Sequence, residues 1–137
     1  MRASGIILHI TSLPSPHGVG TLGREAREFA DFLRKAGQKY WQILPLGPTG
    51  YGDSLYQTDS AFAGNPYLID LEQLITDGLL TREEVDAVSF GSDPAQTDYG
   101  ALYANRLSVL RLISIPLLFL ILGLTLYRSP IPLTAFV

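Results

Sequence analysis

The order of apolar and polar side chains divides the chain into segments of different period. Gly5-Ile-Ile-Leu-His-Ile10 is a continuous apolar run broken by Thr11-Ser-Leu-Pro-Ser-Pro16. Its length and the flanking Gly and Pro predict a strand buried on both faces, followed by a loop. From Arg24 to Ala36 the apolar residues Ala26, Phe29, Ala30, Phe32, Leu33 and Ala36 recur at spacings of three and four, with charged residues between them. That is the period of an amphipathic helix. Its acids lie early, Arg34 and Lys35 lie late as the helix dipole favours, and Gly37 stands where a left-handed cap ends it. Tyr40-Trp-Gln-Ile-Leu-Pro-Leu46 predicts a second strand, closed by Pro45. Strand, helix and strand in succession form a βαβ unit with parallel strands and a right-handed crossover.

Beyond residue 46 the period is lost. Tyr67 to Leu71 reads as a brief extended piece, and Glu72 to Gly78 as a short helix ended by its glycine. Thr81-Arg-Glu-Glu84 is a capping-box pattern that starts another helix, running through Val88. Phe90 to Asp98 reads as loop. Tyr99 to Leu110, with Leu102, Tyr103, Leu107 and Leu110 as its apolar positions, predicts a further helix. The chain contains no internal repeat.

The connection after the second predicted strand carries the candidate chemistry. Pro45 to Tyr67 holds Gly47, Gly50, Gly52 and Gly64 with Pro48 and Pro66, among Tyr51, Tyr56, Phe62 and Tyr67. Long connections without secondary structure are usually binding loops or disordered. Exposed tyrosines favour the first, since each offers a flat apolar face with a polar handle. In parallel sheets the ligand site lies at the C-terminal ends of the strands, where this loop begins. His9, at the end of the first strand, reads as structural, and Trp41 as core.

Composition narrows the partners. The net charge is -3 over 137 residues, with no basic stripe, which argues against nucleic acid. Without cysteine there are no disulfides, thiolate metal sites or cysteine nucleophiles, and a reducing, cytoplasmic compartment is expected. The Ile6-Ile-Leu8 run is shorter than the ~7 to 15 residues of a signal-peptide core. No metal or cofactor site is expected.

The order and spacing of His9-Ile-Thr-Ser-Leu-Pro14, Gly18-Val-Gly20, Tyr40-Trp-Gln-Ile-Leu-Pro-Leu46, Pro48-Thr-Gly-Tyr-Gly-Asp-Ser54, Tyr56-Gln57, Ser60-Ala-Phe-Ala-Gly-Asn-Pro66 and Asp98-Tyr-Gly-Ala-Leu-Tyr-Ala-Asn105 resemble the N-terminus of the 4-alpha-glucanotransferases, glycoside hydrolase family 77. The resemblance implies an α/β fold, the N-terminal portion of a (β/α)8 TIM barrel, incomplete; the apolar C-terminal tail that follows it is read from composition. It implies an enzyme that moves a segment of α-1,4-glucan to the 4-hydroxyl of an acceptor, through a covalent intermediate with retention. Such chemistry needs two carboxyl groups about 5 to 5.5 Å apart. In the family these lie later in the chain, so no catalytic residue is expected here. The resemblance makes Tyr56 a substrate-binding ring that stacks on glucose, with Asp53 and Ser54 hydrogen-bonding beside it. Tyr51 and Tyr103 match a pair that forms a secondary glucan-binding groove. For Asp53 a turn-forming role weighs as much as a ligand role, and packing is an equal alternative for Tyr51 and Tyr103. Leu55 stands where the family usually has proline, which loosens the backbone before Tyr56.

The tail departs from all of this. All thirteen acids and nine of the ten bases lie at or before Arg111, so residues 1–111 carry 9 minus 13, or -4. Residues 112–127 are sixteen positions without a charge. The division expected is 1–111 as the glucanotransferase part and 112–137 as an unrelated apolar tail. Two readings of the tail stand: a shifted reading frame has replaced the family's continuation, or 112–127 is a membrane anchor. Sixteen residues fall short of the ~20 that span a bilayer.

Overall fold

A computed structural model describes residues 2–50, 54–58, 60, 62–93 and 96–128, with side chains to residue 114. Two short strands pair in parallel, β1 (Gly5–Ile7) and β2 (Tyr40–Gln42), joined by helix α1 (Arg24–Lys35). The βαβ unit read from the sequence is therefore present. Its register sets Ile6 beside Trp41 and Ile7 beside Gln42. Side chains alternate across a strand, so Ile6 and Trp41 share one face while Ile7 and Tyr40 lie on the other. The Trp41 face belongs to α1: its ring meets Phe29 edge-on at 5.0 Å, and its indole N–H donates to the Leu8 carbonyl at 2.7 Å.

The opposite face is open. Ile7 and Tyr40 are each 67% exposed, which corrects the expectation of a strand buried on both faces. The reason is physical: among the described residues the sheet has two strands, and nothing packs against that side. The strands are also shorter than expected. After Ile7 the chain tightens into a 3-10 turn, Ile10–Ser12, and after Gln42 it leaves the ladder.

Helix α1 ends as its sequence dictates. Gly37 adopts φ 72°, the Gln38 amide donates to the Leu33 carbonyl at 3.0 Å and the Gly37 amide to Arg34 at 3.1 Å. This is the six-to-one and five-to-two pattern that satisfies a helix's last carbonyls. Ala26 and Leu33 are buried, whereas Phe32, expected on the inner face, is exposed and stacks on Phe29. Two strands cover only part of the helix's apolar stripe.

Among the described residues that follow, the next element is a second 3-10 turn, Pro66–Leu68, where an extended piece was expected. Asn65 causes the difference, because its side chain accepts from the Tyr67 amide at 2.9 Å and curls the backbone. Helix α2 (Leu71–Thr76) is capped by Asp70 and terminated by Gly78 at φ 71°. Helix α3 (Arg82–Asp86) starts with the predicted Thr81–Glu84 capping box and stops two residues before Val88. Helix α4 spans Tyr99–Arg128 and crosses the charge boundary at Arg111 without a break. Among the described residues no helix is long and apolar enough to cross a membrane.

Two cores result. Ile10, Leu13, Ala26 and Leu68 close the space between the strands and α1. Leu71, Leu80, Val85, Phe90, Leu102 and Val109 hold α2, α3 and α4 together. Arg106 locks the two halves. It is fully buried, and its guanidinium donates to the carbonyls of Ile69 at 2.5 Å and His17 at 3.4 Å. Burial lowers its pKa to about 10, with Asp70 and Tyr67 opposing, so it stays charged at neutral pH.

Candidate functional site

Because β1 and β2 are parallel, both chains leave the sheet on the same side. There the loop after β2 is anchored to the end of β1. His9 is buried, and its Nδ1 accepts from the Leu44 amide at 3.2 Å. Accepting at Nδ1 requires the neutral ring to carry its proton on Nε2. Burial lowers the His9 pKa, which keeps that neutral form at physiological pH. The structural role expected for His9 is thus what the geometry gives it.

The far end of the loop is closed by the Asn65 amide, which donates to the Leu46 carbonyl at 2.8 Å. Between these points the segment is laced to itself. Thr58 Oγ1 donates to the Ser60 carbonyl at 2.9 Å, and Ser60 Oγ accepts from the amides of Phe62 and Ala63. Gly47 passes against Thr58 so closely that a Cβ would lie 2.5 Å from its hydroxyl. Only glycine fits that crossing.

Tyr56 sits in a tight turn at the crest. The Gln57 amide donates to the Ser54 carbonyl at 3.1 Å, which puts Leu55 and Tyr56 at the two central positions. Proline suits the first of these, but most residues are compatible with it. Leu55 therefore keeps the turn that the expected proline would have fixed. Tyr56 is 72% exposed and Ser54 half-buried. An exposed ring beside a hydroxyl is suited to an apolar face with polar edges. Asp53 and Tyr51 lie outside the described residues. Tyr103 stands on α4, 75% exposed.

Charged groups gather away from this crest. His17 Nε2 and Glu72 Oε1 are 2.8 Å apart, and Arg82 makes a two-pronged contact of 2.6 Å per prong with the same carboxylate. Arg82 first, then His17, holds the Glu72 pKa down to about 2 against the opposing effect of burial. An adjoining cleft of about 440 Å³ is lined by Arg24, Glu25, Arg27 and Asp70 with Glu72. Another, about 530 Å³ and mainly apolar, runs under the loop base between Leu22, Leu46, Pro66 and Leu74. A third, about 410 Å³, lies between the loop after β1 and the start of α4. Among the described residues no cluster of His, Asp and Glu could hold a metal ion.

Sequence reasoning missed Arg106 and the His17–Glu72–Arg82 network. The first was legible in principle: Leu102, Arg106 and Val109 follow helical spacing, and the structure buries those three rather than Tyr103. An arginine in such a stripe is masked by its charge when only apolar residues are counted. The second joins residues 55 and 10 positions apart, which no local pattern reveals.

The sequence profile of the 4-alpha-glucanotransferase family matches residues 8–116. A 4-alpha-glucanotransferase of Thermus thermophilus is 57% identical over 110 residues, 80% of this chain and 21% of that protein. One of Clostridium butyricum is 55% identical over 104 residues, 76% of this chain and 21% of that protein. Among solved structures, an amylomaltase from Streptococcus agalactiae in complex with acarbose superposes with a TM-score of 0.79 at 49% identity, covering 83% of this chain and 23% of that one. The chain thus spans about a fifth of the length of the curated relatives it matches.

Proposed function

This chain belongs to the 4-alpha-glucanotransferase family, and on that footing we propose that it forms the first wall of an α-1,4-glucan cleft in an enzyme that moves glucan segments between chains. The observation that carries the reading is the loop after β2. It leaves the C-terminal end of a parallel strand, is pinned at both ends, and holds Tyr56 outward in a closed turn. In this reading Tyr56 stacks on a glucose ring, Ser54 and Asp53 bind its hydroxyls, and Tyr51 with Tyr103 offers a secondary groove. The aromatic face takes the apolar C–H side of the sugar while the polar neighbours fix its orientation.

The open face of the strand pair supports an origin in a larger barrel. Ile7 and Tyr40 lie on the face away from α1, which in a closed barrel is the packed interior. The nucleophile and the acid/base then belong to the four-fifths of the family's length that this chain does not span. We assign residues 1–111 to the glucanotransferase part and residues 112–137 to a segment foreign to it, a reading supported by the charge break after Arg111. The absence of cysteine supports a cytoplasmic location.

The reading is tested by incubating the 137-residue chain with maltotriose and following glucose and longer maltodextrins. No turnover is expected, together with maltodextrin binding that Tyr56→Ala weakens. Clear disproportionation by the chain alone would contradict it.

A further inference from the structure

The loop that carries Tyr56 has an outgoing arm, from Leu46 to Gly50, and a returning arm, from Gln57 to Asn65. The arms meet at three levels. The Asn65 amide donates to the Leu46 carbonyl at 2.8 Å, Thr58 covers Gly47, and a Cβ on Gly50 would lie 3.8 Å from the Gln57 carbonyl oxygen. Only the middle crossing is made by a side chain. A Cβ on Gly47 would sit 2.5 Å from the Thr58 hydroxyl, 2.9 Å from its Cβ and 3.2 Å from its methyl carbon, so the whole side chain rests on the Gly47 backbone.

Thr58 is fixed from its other side as well. Its Oγ1 donates to the Ser60 carbonyl at 2.9 Å and accepts from the Ser60 amide at 3.3 Å, so one hydroxyl serves both backbone groups of the same residue. Those two bonds hold the side chain in one rotamer over Gly47. Two residues before it stands Tyr56, 72% exposed, in the turn closed by the Gln57 amide and the Ser54 carbonyl at 3.1 Å. A ring so exposed has little packing of its own to hold it, and takes its place from the backbone beneath. The turn sets its local direction. Its distance from the end of β2 is set by where the returning arm is tied down, and Thr58 is the side chain that ties it.

We propose that Thr58 is a positioning residue for Tyr56: its hydroxyl pins Ser60 while its carbons rest on Gly47, and the ring is thereby held ready for the glucan without any contact between Thr58 and the sugar. The proposal rests on the glucan reading of Tyr56 and adds the group that acts through it. A loop ordered before binding spares the ligand the entropy of ordering it. Releasing Thr58 returns that cost to the binding step, and affinity falls by roughly threefold to tenfold.

The test separates the hydroxyl from the shape. Thr58→Val keeps the branched side chain over Gly47 and removes both bonds to Ser60, whereas Thr58→Ser keeps the hydroxyl. Each full chain is titrated calorimetrically with maltotetraose, its fold is checked by far-UV circular dichroism melting, and exchange of the Gln57 amide hydrogen is followed in the free chain. Thr58→Val should bind roughly threefold to tenfold more weakly than wild type, exchange Gln57 faster and melt within a few degrees of it. Thr58→Ser should match wild type in affinity and exchange, and in a Tyr56→Ala background the valine should have no further effect. Wild-type affinity in Thr58→Val, beside weakened binding in Tyr56→Ala, overturns the role of Thr58 and keeps the Tyr56 wall. An equal loss for the valine with and without Tyr56, or a Thr58→Val chain that no longer folds, also overturns it, because Thr58 then serves the fold at large. Absence of binding in the folded wild type overturns both.

Discussion

Replacing Gly20 by alanine should unfold the β1 loop's anchorage, and the size of the effect follows from the structure. A Cβ at this position would lie 2.0 Å from the Ile10 carbonyl oxygen, 2.8 Å from that of Leu13 and 2.9 Å from the Leu13 amide nitrogen. All three are backbone atoms, so no rotamer change relieves the clash. Ordinary contact begins at 3.4 Å, and 3.4 minus 2.0 gives 1.4 Å of required movement. Added to the present 3.2 Å from the Gly20 amide to the Thr11 oxygen, such a shift breaks that hydrogen bond. Overpacking of this kind costs about 1 to 3 kcal/mol, and a buried amide left without its acceptor about 1 to 3 more. The sum of about 2 to 6 kcal/mol is a large share of the ~5 to 15 kcal/mol that holds a domain folded. Thermal unfolding followed by circular dichroism should show a midpoint lower by roughly 10 °C or more. Gly64→Ala is the control, since a Cβ there meets nothing within 4 Å. A Gly20→Ala variant melting no lower than Gly64→Ala would refute the reasoning.

Three further outcomes are expected. The Glu72 carboxyl has a folded pKa near 2 against an ordinary 4.5, so the stability it lends is fully present above pH 4.5 and is lost as pH falls through about 2. Acid titration of Glu72→Gln should show a flatter loss over that window than wild type, and identical acid limbs would count against the His17–Glu72–Arg82 network. Arg106→Ala leaves the Ile69 carbonyl without its donor and empties a fully buried volume, so urea unfolding should register a loss of about 3 kcal/mol; a wild-type midpoint would contradict its role as the lock between the two cores. Tyr56→Ala removes an exposed ring and should leave the melting temperature unchanged. In calorimetry it should weaken maltodextrin binding about 10- to 100-fold, the worth of one buried aromatic side chain.

What could be read from the sequence depended on whether a local pattern dictated the outcome. Helix α1, its Gly37 cap and the Thr81–Glu84 box follow from neighbours within one or two turns, and each is where the pattern puts it. The exposure of Ile7, Tyr40 and Phe32 could not be read that way, because apolar runs report what a residue prefers and not whether a partner covers it. The Asn65 curl turned an expected extended piece into a 3-10 turn through one side-chain hydrogen bond. For the site, the anchoring of the Tyr56 loop depends on His9, whose bond to Leu44 joins residues 35 positions apart. The cleft beside α4 is likewise assembled from segments 11–19 and 96–99, which the sequence keeps far from each other.

The central claim is that residues 8–111 supply a competent first wall to a glucanotransferase whose catalytic carboxylates lie elsewhere. The most direct measurement grafts that segment into the Thermus thermophilus 4-alpha-glucanotransferase in place of its matching region, the two proteins being 57% identical over 110 residues. Maltotriose disproportionation is then compared with and without Tyr56→Ala. The account predicts that the chimera produces glucose and longer maltodextrins and that Tyr56→Ala lowers the rate at limiting substrate. A chimera that folds, by its melting curve, and transfers no glucan would contradict it.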